Sequence, residues 1–188
     1  MLNSLDIKEA IQWLEKTKTL GSKPRLKSIK SLLKKLKNPN AYYKCVHITG
    51  TNGKGSTSVM TQSILTAAGY RVGLFTSPHL HDFTENITIN SKPIEKSQVA
   101  ISINKIKNSI DTLEKEGIRH PTYFEILSAI AFEYFKEENI DIAVIEVGRG
   151  GRDDATNVID SEVSVITNIS LEHTEFLGKT ELEYVFSL

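Results

Sequence analysis

The chain has 188 residues, and its 23 lysines and arginines balance 23 aspartates and glutamates, so bulk charge names no partner. An apolar fraction of 39% is that of an ordinary globular domain with a real core. A single cysteine, Cys45, rules out an intramolecular disulfide; no apolar run is long enough to span a membrane and the N-terminus lacks a signal-peptide core, so a reducing, cytoplasmic setting is expected.

Leu5, Ala10, Ile11 and Leu14 share one face of a helix, with Trp13 at its edge, and Gly21-Ser22-Lys23-Pro24 breaks it. Leu26, Ile29, Leu32, Leu33 and Leu36 recur at helical spacing until Asn38-Pro39-Asn40 stops them. No acidic residue occurs between Lys16 and Arg71, while Lys23, Arg25, Lys27, Lys30, Lys34, Lys35 and Lys37 cluster. The cluster reads as a solvated helix face; the other reading is an anion-attracting rim near a phosphate site.

Residues 45–49 form the first strand, in which Cys45 is a small core residue rather than a nucleophile, and residues 54–68 form a helix that Gly69 ends as a left-handed cap. Between them lie Gly50, Thr51, Asn52, Gly53, Lys54, Gly55, Ser56 and Thr57. Three glycines let the backbone curl so that successive N–H groups point into one concavity. The helix adds its unpaired N–H groups and the positive end of its dipole. Lys54 brings a mobile charge, and Ser56 and Thr57 bring hydroxyls. These parts make a phosphate cradle. Its spacing is not that of the common P-loop, because Ile48 occupies the slot of the first glycine and Gly55 separates Lys54 from Ser56.

Residues 71–76 read as a second strand, joined to the first by a right-handed parallel crossover. The loop Ser77-Pro78-His79-Leu80-His81-Asp82-Phe83 leaves its C-terminal end, where open α/β sheets bind ligands. Residues 86–90 alternate as a short strand or hairpin arm. Pro93 to Ser97 opens a helix over about 97–116, which Gly117 ends. Thr122 followed by Glu125 is the capping-box pattern for the next helix. Residues 141–147 form a near-continuous apolar strand covered on both faces, and 163–168 one more buried strand. The fold expected is α/β, a mononucleotide-binding domain with a mostly parallel sheet flanked by helices.

Three strand exits share the sheet edge that carries the cradle. Ser77 follows one, Glu146 ends another and His173 follows the last. A hydroxyl, a carboxylate and an imidazole converging near a triphosphate can hold a divalent cation. Alone, Ser77 is an ordinary turn residue and His173 a satisfied loop histidine. Glu146 inside an apolar strand must find a cation or donors.

Thr49-Gly50-Thr51-Asn52-Gly53-Lys54-Gly55-Ser56, Thr76-Ser77-Pro78-His79-Leu80, Thr122-Tyr123-Phe124-Glu125, Glu146-Val147-Gly148-Arg149-Gly150-Gly151-Arg152 with Asp154-Ala155-Thr156-Asn157, and Thr167-Asn168 with Glu172-His173 occur in this order. Together they resemble folylpolyglutamate synthase/dihydrofolate synthase, of the Mur ligase superfamily, from about Leu5 to Thr180. The resemblance implies an ATP-dependent ligase that activates a folate or dihydropteroate carboxylate as an acyl phosphate and joins it to glutamate. It implies ATP phosphates on Gly50 to Thr57 with Lys54 on the β/γ oxygens, and magnesium on Ser77, Glu146 and His173. Pro78, His79, Leu80, Phe83, Thr122, Tyr123 and Phe124 would border the pteridine-bearing substrate. Lys54, Glu146 and His173 would be the catalytic set, with no nucleic acid and no membrane as partner.

There are departures. Asn86 stands where the family usually has arginine, and Glu172 where it has aspartate. Leu188 stands about where a carbamate-bearing lysine belongs. The resemblance therefore implies an N-terminal ATP-binding domain over residues 1–188, an incomplete Mur-ligase central domain without the C-terminal glutamate-binding domain. Two other readings are a non-catalytic nucleotide- and folate-binding remnant, and a nucleic-acid module built on the lysine cluster. The last has no aromatics interleaved with the lysines for stacking.

Overall fold

The computed structural model describes residues 5–20 and 26–170, together with 180, 182, 183 and 185. Five α-helices and six strands are described: α1 Ile7–Lys16, α2 Leu26–Lys35, β1 Lys44–Thr49, α3 Lys54–Ala67, β2 Val72–Phe75, β3 Ile87–Ile89, β4 Lys92–Pro93, α4 Lys96–Lys115, α5 Tyr123–Glu137, β5 Ile142–Glu146 and β6 Val163–Ile166. The strands form one sheet in the order β4-β3-β2-β5-β1-β6. β2, β5, β1 and β6 run parallel, while β3 and β4 add an antiparallel hairpin at one edge.

Strand alternation sorts the core into two layers. Cys45, Phe75, Ala143 and Ile145 face the larger cluster with α1, α2, α4 and α5, whereas Ile48, Val72, Leu74 and Val144 form a smaller cluster under Leu65 of α3. Gly73 has a packing reason to lack a side chain: a Cβ there would lie 2.7 Å from Ile140 and 2.8 Å from Phe135. Helices thus cover both faces, as the apolar run of β5 requires. Cys45 is buried in the core, where burial first and Asp160 second push its thiol up to about 12.

The caps follow the sequence. Thr122 and Glu125 form the expected capping box, and Asp6 with Glu9 forms another. Gly69 takes φ +95° just past α3. Lys27, Lys30 and Lys34 line the exposed side of α2, Lys37 is exposed just past its end and Lys35 pairs with Glu116 at 2.6 Å, the solvated face expected; Lys23 and Arg25 lie outside the described residues.

Two expectations are corrected. Residues 163–166 are not a buried strand: β6 is the sheet edge, paired to β1 alone among the described residues, and Val163 and Ile166 are 51% and 54% exposed. Apolar composition alone does not distinguish an edge strand from a central one. Pro93 does not open a helix but ends β4, an edge strand where a missing N–H costs no ladder bond. Asn90 and Ser91, both at positive φ, make the tight hairpin turn, and α4 starts after Glu95. No helix among the described residues is long and apolar enough to cross a membrane.

Candidate functional site

β1 ends at Thr49 and the chain turns at once through Gly50 to Gly53 into α3. Gly50 has φ +128°, and a Cβ there would lie 2.2 Å from Thr167 Oγ1 and 2.9 Å from the Asn168 carbonyl. Only glycine lets the loop lie so close to the exit of β6. That exit holds the loop in place. Thr51 N–H donates to the Asn168 carbonyl at 2.9 Å and Asn52 N–H to Asn168 Oδ1 at 2.7 Å. Thr167 Oγ1 donates to the Asn52 carbonyl at 2.7 Å, and Thr51 Oγ1 to that of Ser170 at 2.8 Å. Thr167 and Asn168, quoted from the sequence only as part of a motif, are the cradle's fasteners.

Gly53, at φ +83°, is the N-cap of α3 and leaves the helix N-terminus uncovered by any capping side chain. Ser56 is exposed and Thr57 half-buried in the first turn. Lys54 Nζ donates to the carbonyls of Gly50 at 2.7 Å and Thr51 at 2.9 Å, which brings its charge over the loop's concavity. The arrangement joins helix-terminal N–H groups, a cation and hydroxyls, the parts that receive a polyphosphate.

Glu146 ends β5, the strand between β1 and β2, and is 4% exposed. Both carboxylate oxygens lie 3.7 Å from the position a Cβ would take on Gly55, so the group sits against the first turn of α3. Its Oε2 accepts the Ser77 N–H at 3.1 Å. Burial pushes its carboxyl above the usual range; the Ser77 N–H and the Lys54 charge oppose that rise. The structure therefore brings Ser77, Glu146 and the cradle together. His173 lies outside the described residues.

The Ser77–Phe83 loop leaves β2 through a cis Ser77–Pro78 bond. Pro78 is exposed, His79 half-buried and Leu80 86% exposed. Phe83 is different: it belongs to the core cluster at 6% exposure and supports the loop from beneath. Asn86 and Glu85, which sequence reasoning did not place in the site, hold this loop. Glu85 accepts N–H groups from Leu80, His81 and Asp82 at 3.0, 3.3 and 3.1 Å. The capping-box spacing of Asp82 and Glu85 was the available signal.

Thr122 is buried as the cap of α5, and Tyr123 and Phe124 are half-buried. The Phe124 ring lies 5.6 Å from that of Phe75 and reaches to 2.6 Å from where a Cβ on Gly148 would stand. The same point on Gly148 lies 3.1 Å from Asp154 Oδ2. Asp154 organises the loop after Glu146. It accepts Arg149 N–H at 3.0 Å, Thr156 N–H at 2.9 Å and Thr156 Oγ1–H at 2.6 Å. Thr156 Oγ1 in turn lies 2.8 Å from His47 Nε2, which ties the loop to β1. Burial pushes the His47 imidazole down to about 4. The Asp154-Ala155-Thr156 pattern, an acceptor two residues before a hydroxyl donor, was the legible sign.

The chain matches the Mur ligase middle domain over residues 48–186. It is 39% identical over 173 residues to the dihydrofolate synthase/folylpolyglutamate synthase of Bacillus subtilis, covering 92% of this chain and 40% of that protein. It is 37% identical over 177 residues to the folylpolyglutamate synthase of Lacticaseibacillus casei, covering 90% and 41%. A folylpolyglutamate synthase structure from Thermotoga maritima matches with a TM-score of 0.82 at 43% identity, over 90% of this chain and 39% of that one. A folylpolyglutamate synthase complex with AMPPCP and folate matches with a TM-score of 0.89 at 35% identity, over 96% and 44%. The chain spans less than half the length of these relatives.

Proposed function

The chain belongs to the Mur ligase family through its middle domain, and we propose that it is the ATP-binding portion of an amide ligase of folate metabolism. The ligase would add L-glutamate to dihydropteroate, tetrahydrofolate or both through an acyl phosphate. The observation that carries this reading is the buried Glu146 carboxylate set against the first turn of α3 and bonded to Ser77 beside the Gly50–Thr57 cradle. A plain glycine-rich turn needs no buried acid at its mouth.

The roles follow from chemistry. N–H groups at the start of α3 and the Lys54 ammonium would bind the phosphate oxygens and draw charge from the transferring phosphoryl group. The Glu146 carboxylate and the Ser77 hydroxyl are hard oxygen donors that suit magnesium, and with His173 they are the proposed holders of that ion. Magnesium, when bound, would neutralise phosphate charge. Thr122, Tyr123 and Phe124 on one side and the Pro78–Leu80 segment on the other would orient the pteridine-bearing acid, with Phe83 fixing the loop from within. No protein nucleophile is required. The setting proposed is cytoplasmic and the partners are small molecules. The similarity to folylpolyglutamate synthases favours a ligase over a non-catalytic nucleotide- and folate-binding remnant.

The test is ADP release from magnesium–ATP with dihydropteroate or tetrahydrofolate added. Release stimulated by either acid, and lost in Lys54→Ala, supports the reading. Binding of nucleotide and of either acid without any ADP release would replace it with the non-catalytic nucleotide- and folate-binding remnant.

A further inference from the structure

Asn86 is 1% exposed and makes a fully directional set of bonds. Its side-chain Nδ2 donates to the Thr76 carbonyl at 2.6 Å, and its backbone carbonyl accepts the Thr76 N–H at 3.0 Å. A carbonyl oxygen only accepts, so the amide nitrogen must face Thr76 and Oδ1 must face the other way. Oδ1 lies 2.9 Å from His79 Nδ1. An amide oxygen also only accepts, so Nδ1 must carry a hydrogen. In the neutral imidazole this leaves Nε2 as a bare acceptor.

We infer that Asn86 is a positioning residue that locks His79 as the Nδ1–H tautomer, and that His79 Nε2 accepts a hydrogen bond from an N–H or amino group of a heteroaromatic ring bound at the Ser77–Phe83 loop. The position is preorganised. Glu85 gathers three N–H groups of the loop, Lys96 pairs with Asp82 at 2.7 Å, and Phe83 anchors the loop in the core. Beside His79, Leu80 offers an apolar side chain that is 86% exposed. An apolar surface next to a fixed acceptor complements a flat ring with a polar, donor-bearing edge. The resemblance leads one to expect arginine at position 86. A guanidinium has donors only and cannot accept from Nδ1–H, so the lock belongs to this chain's asparagine.

That the ring is bound here rests on the ligase reading, and its source is either the pteridine of the acid substrate or the adenine of the nucleotide. Nitrogen-15 NMR of the histidine side chains, recorded at alkaline pH where imidazoles are neutral, reads the tautomer directly in the ligand-free chain, with His79 assigned by its loss in His79→Gln. The expected spectrum has a protonated-type Nδ1 and an unprotonated-type Nε2. Asn86→Ala, checked for folding by its amide spectrum, loses this pattern. A protonated Nε2 in the unsubstituted chain overturns the inference.

Dihydropteroate and AMPPCP are then added separately, with calorimetry confirming occupancy. A hydrogen-bonding shift at Nε2 on adding one of them supports the acceptor role and identifies the ring. Occupancy by both without any shift overturns that role while leaving the ligase reading standing. Absence of binding by calorimetry removes the ligase reading and the acceptor role together, and the tautomer lock is still decided by the ligand-free spectrum.

Discussion

Glu146 Oε2 accepts the backbone N–H of Ser77 at 3.1 Å, joining the exits of two neighbouring parallel strands. The carboxyl is buried and held above its ordinary range, so in the ligand-free fold the charged form is the costly one. A raised carboxyl favours the folded state where it is protonated, and that contribution is lost as pH rises through the folded value. Glu146→Gln should therefore raise the melting temperature of the ligand-free chain by a few degrees at about pH 7, with the gain vanishing in acid. The same substitution should abolish magnesium-dependent tightening of nucleotide binding. Thermal melts across pH check the first part. A substitution that lowers the melting temperature at neutral pH would show that the charge is stabilised by the fold.

His47 works in the opposite sense. Burial lowers its value to about 4, below the ordinary 6.5 of the unfolded chain, so the unfolded state takes up the proton first. The neutral ring contributes stability that is lost as pH falls from about 6.5 toward 4, by up to about 3 kcal/mol. His47→Gln, which can still bond Thr156, should flatten that part of the stability–pH curve. Denaturant melts at several pH values measure it, and parallel curves for both proteins would contradict the burial argument.

Gly50 and Gly53 both have positive φ but differ in surroundings. A side chain at Gly50 meets Thr167 and the Asn168 backbone, whereas nothing lies within 4 Å of one at Gly53. Gly53→Ala should cost about 1–2 kcal/mol from backbone strain alone. Gly50→Ala should cost at least about 2 kcal/mol more, because backbone must move. Equal losses in chemical denaturation would mean that the β6 exit does not brace the cradle.

Cys45 is 1% exposed with its thiol pushed up to about 12. Thiol reagents should label it only as fast as the chain opens, and addition of AMPPCP should slow labelling further by linkage. Rapid labelling of the native chain would place Cys45 outside the core.

Much of this was legible in the sequence because local chemistry dictated it. The strand–cradle–helix order at residues 45–68 needed its glycines in place, and Thr122 with Glu125 announced α5. What escaped depended on partners distant in sequence. Thr167 and Asn168 look like the end of a strand until the sheet order sets them beside Thr51 and Asn52. Val163 and Ile166 look like core because apolar composition does not reveal that β6 stands at an edge. Asn86 carries no motif of its own, and only its bonds to Thr76 and His79 show its role. Phe83 was assigned to the substrate side, and the fold uses it as a core anchor.

The central claim is that Gly50 to Thr57 receives the phosphates of a magnesium nucleotide beside Glu146. Calorimetric titration of the chain with AMPPCP, with and without magnesium, tests it most directly when repeated on Lys54→Ala. Lys54 supplies a charge-assisted contact worth about 1.5–3 kcal/mol, so the substitution should weaken binding roughly ten- to a hundredfold. Magnesium should tighten binding in the unsubstituted chain and not in Glu146→Gln. Equal affinity for AMPPCP in the unsubstituted chain and Lys54→Ala would contradict the account and remove the loop from the site.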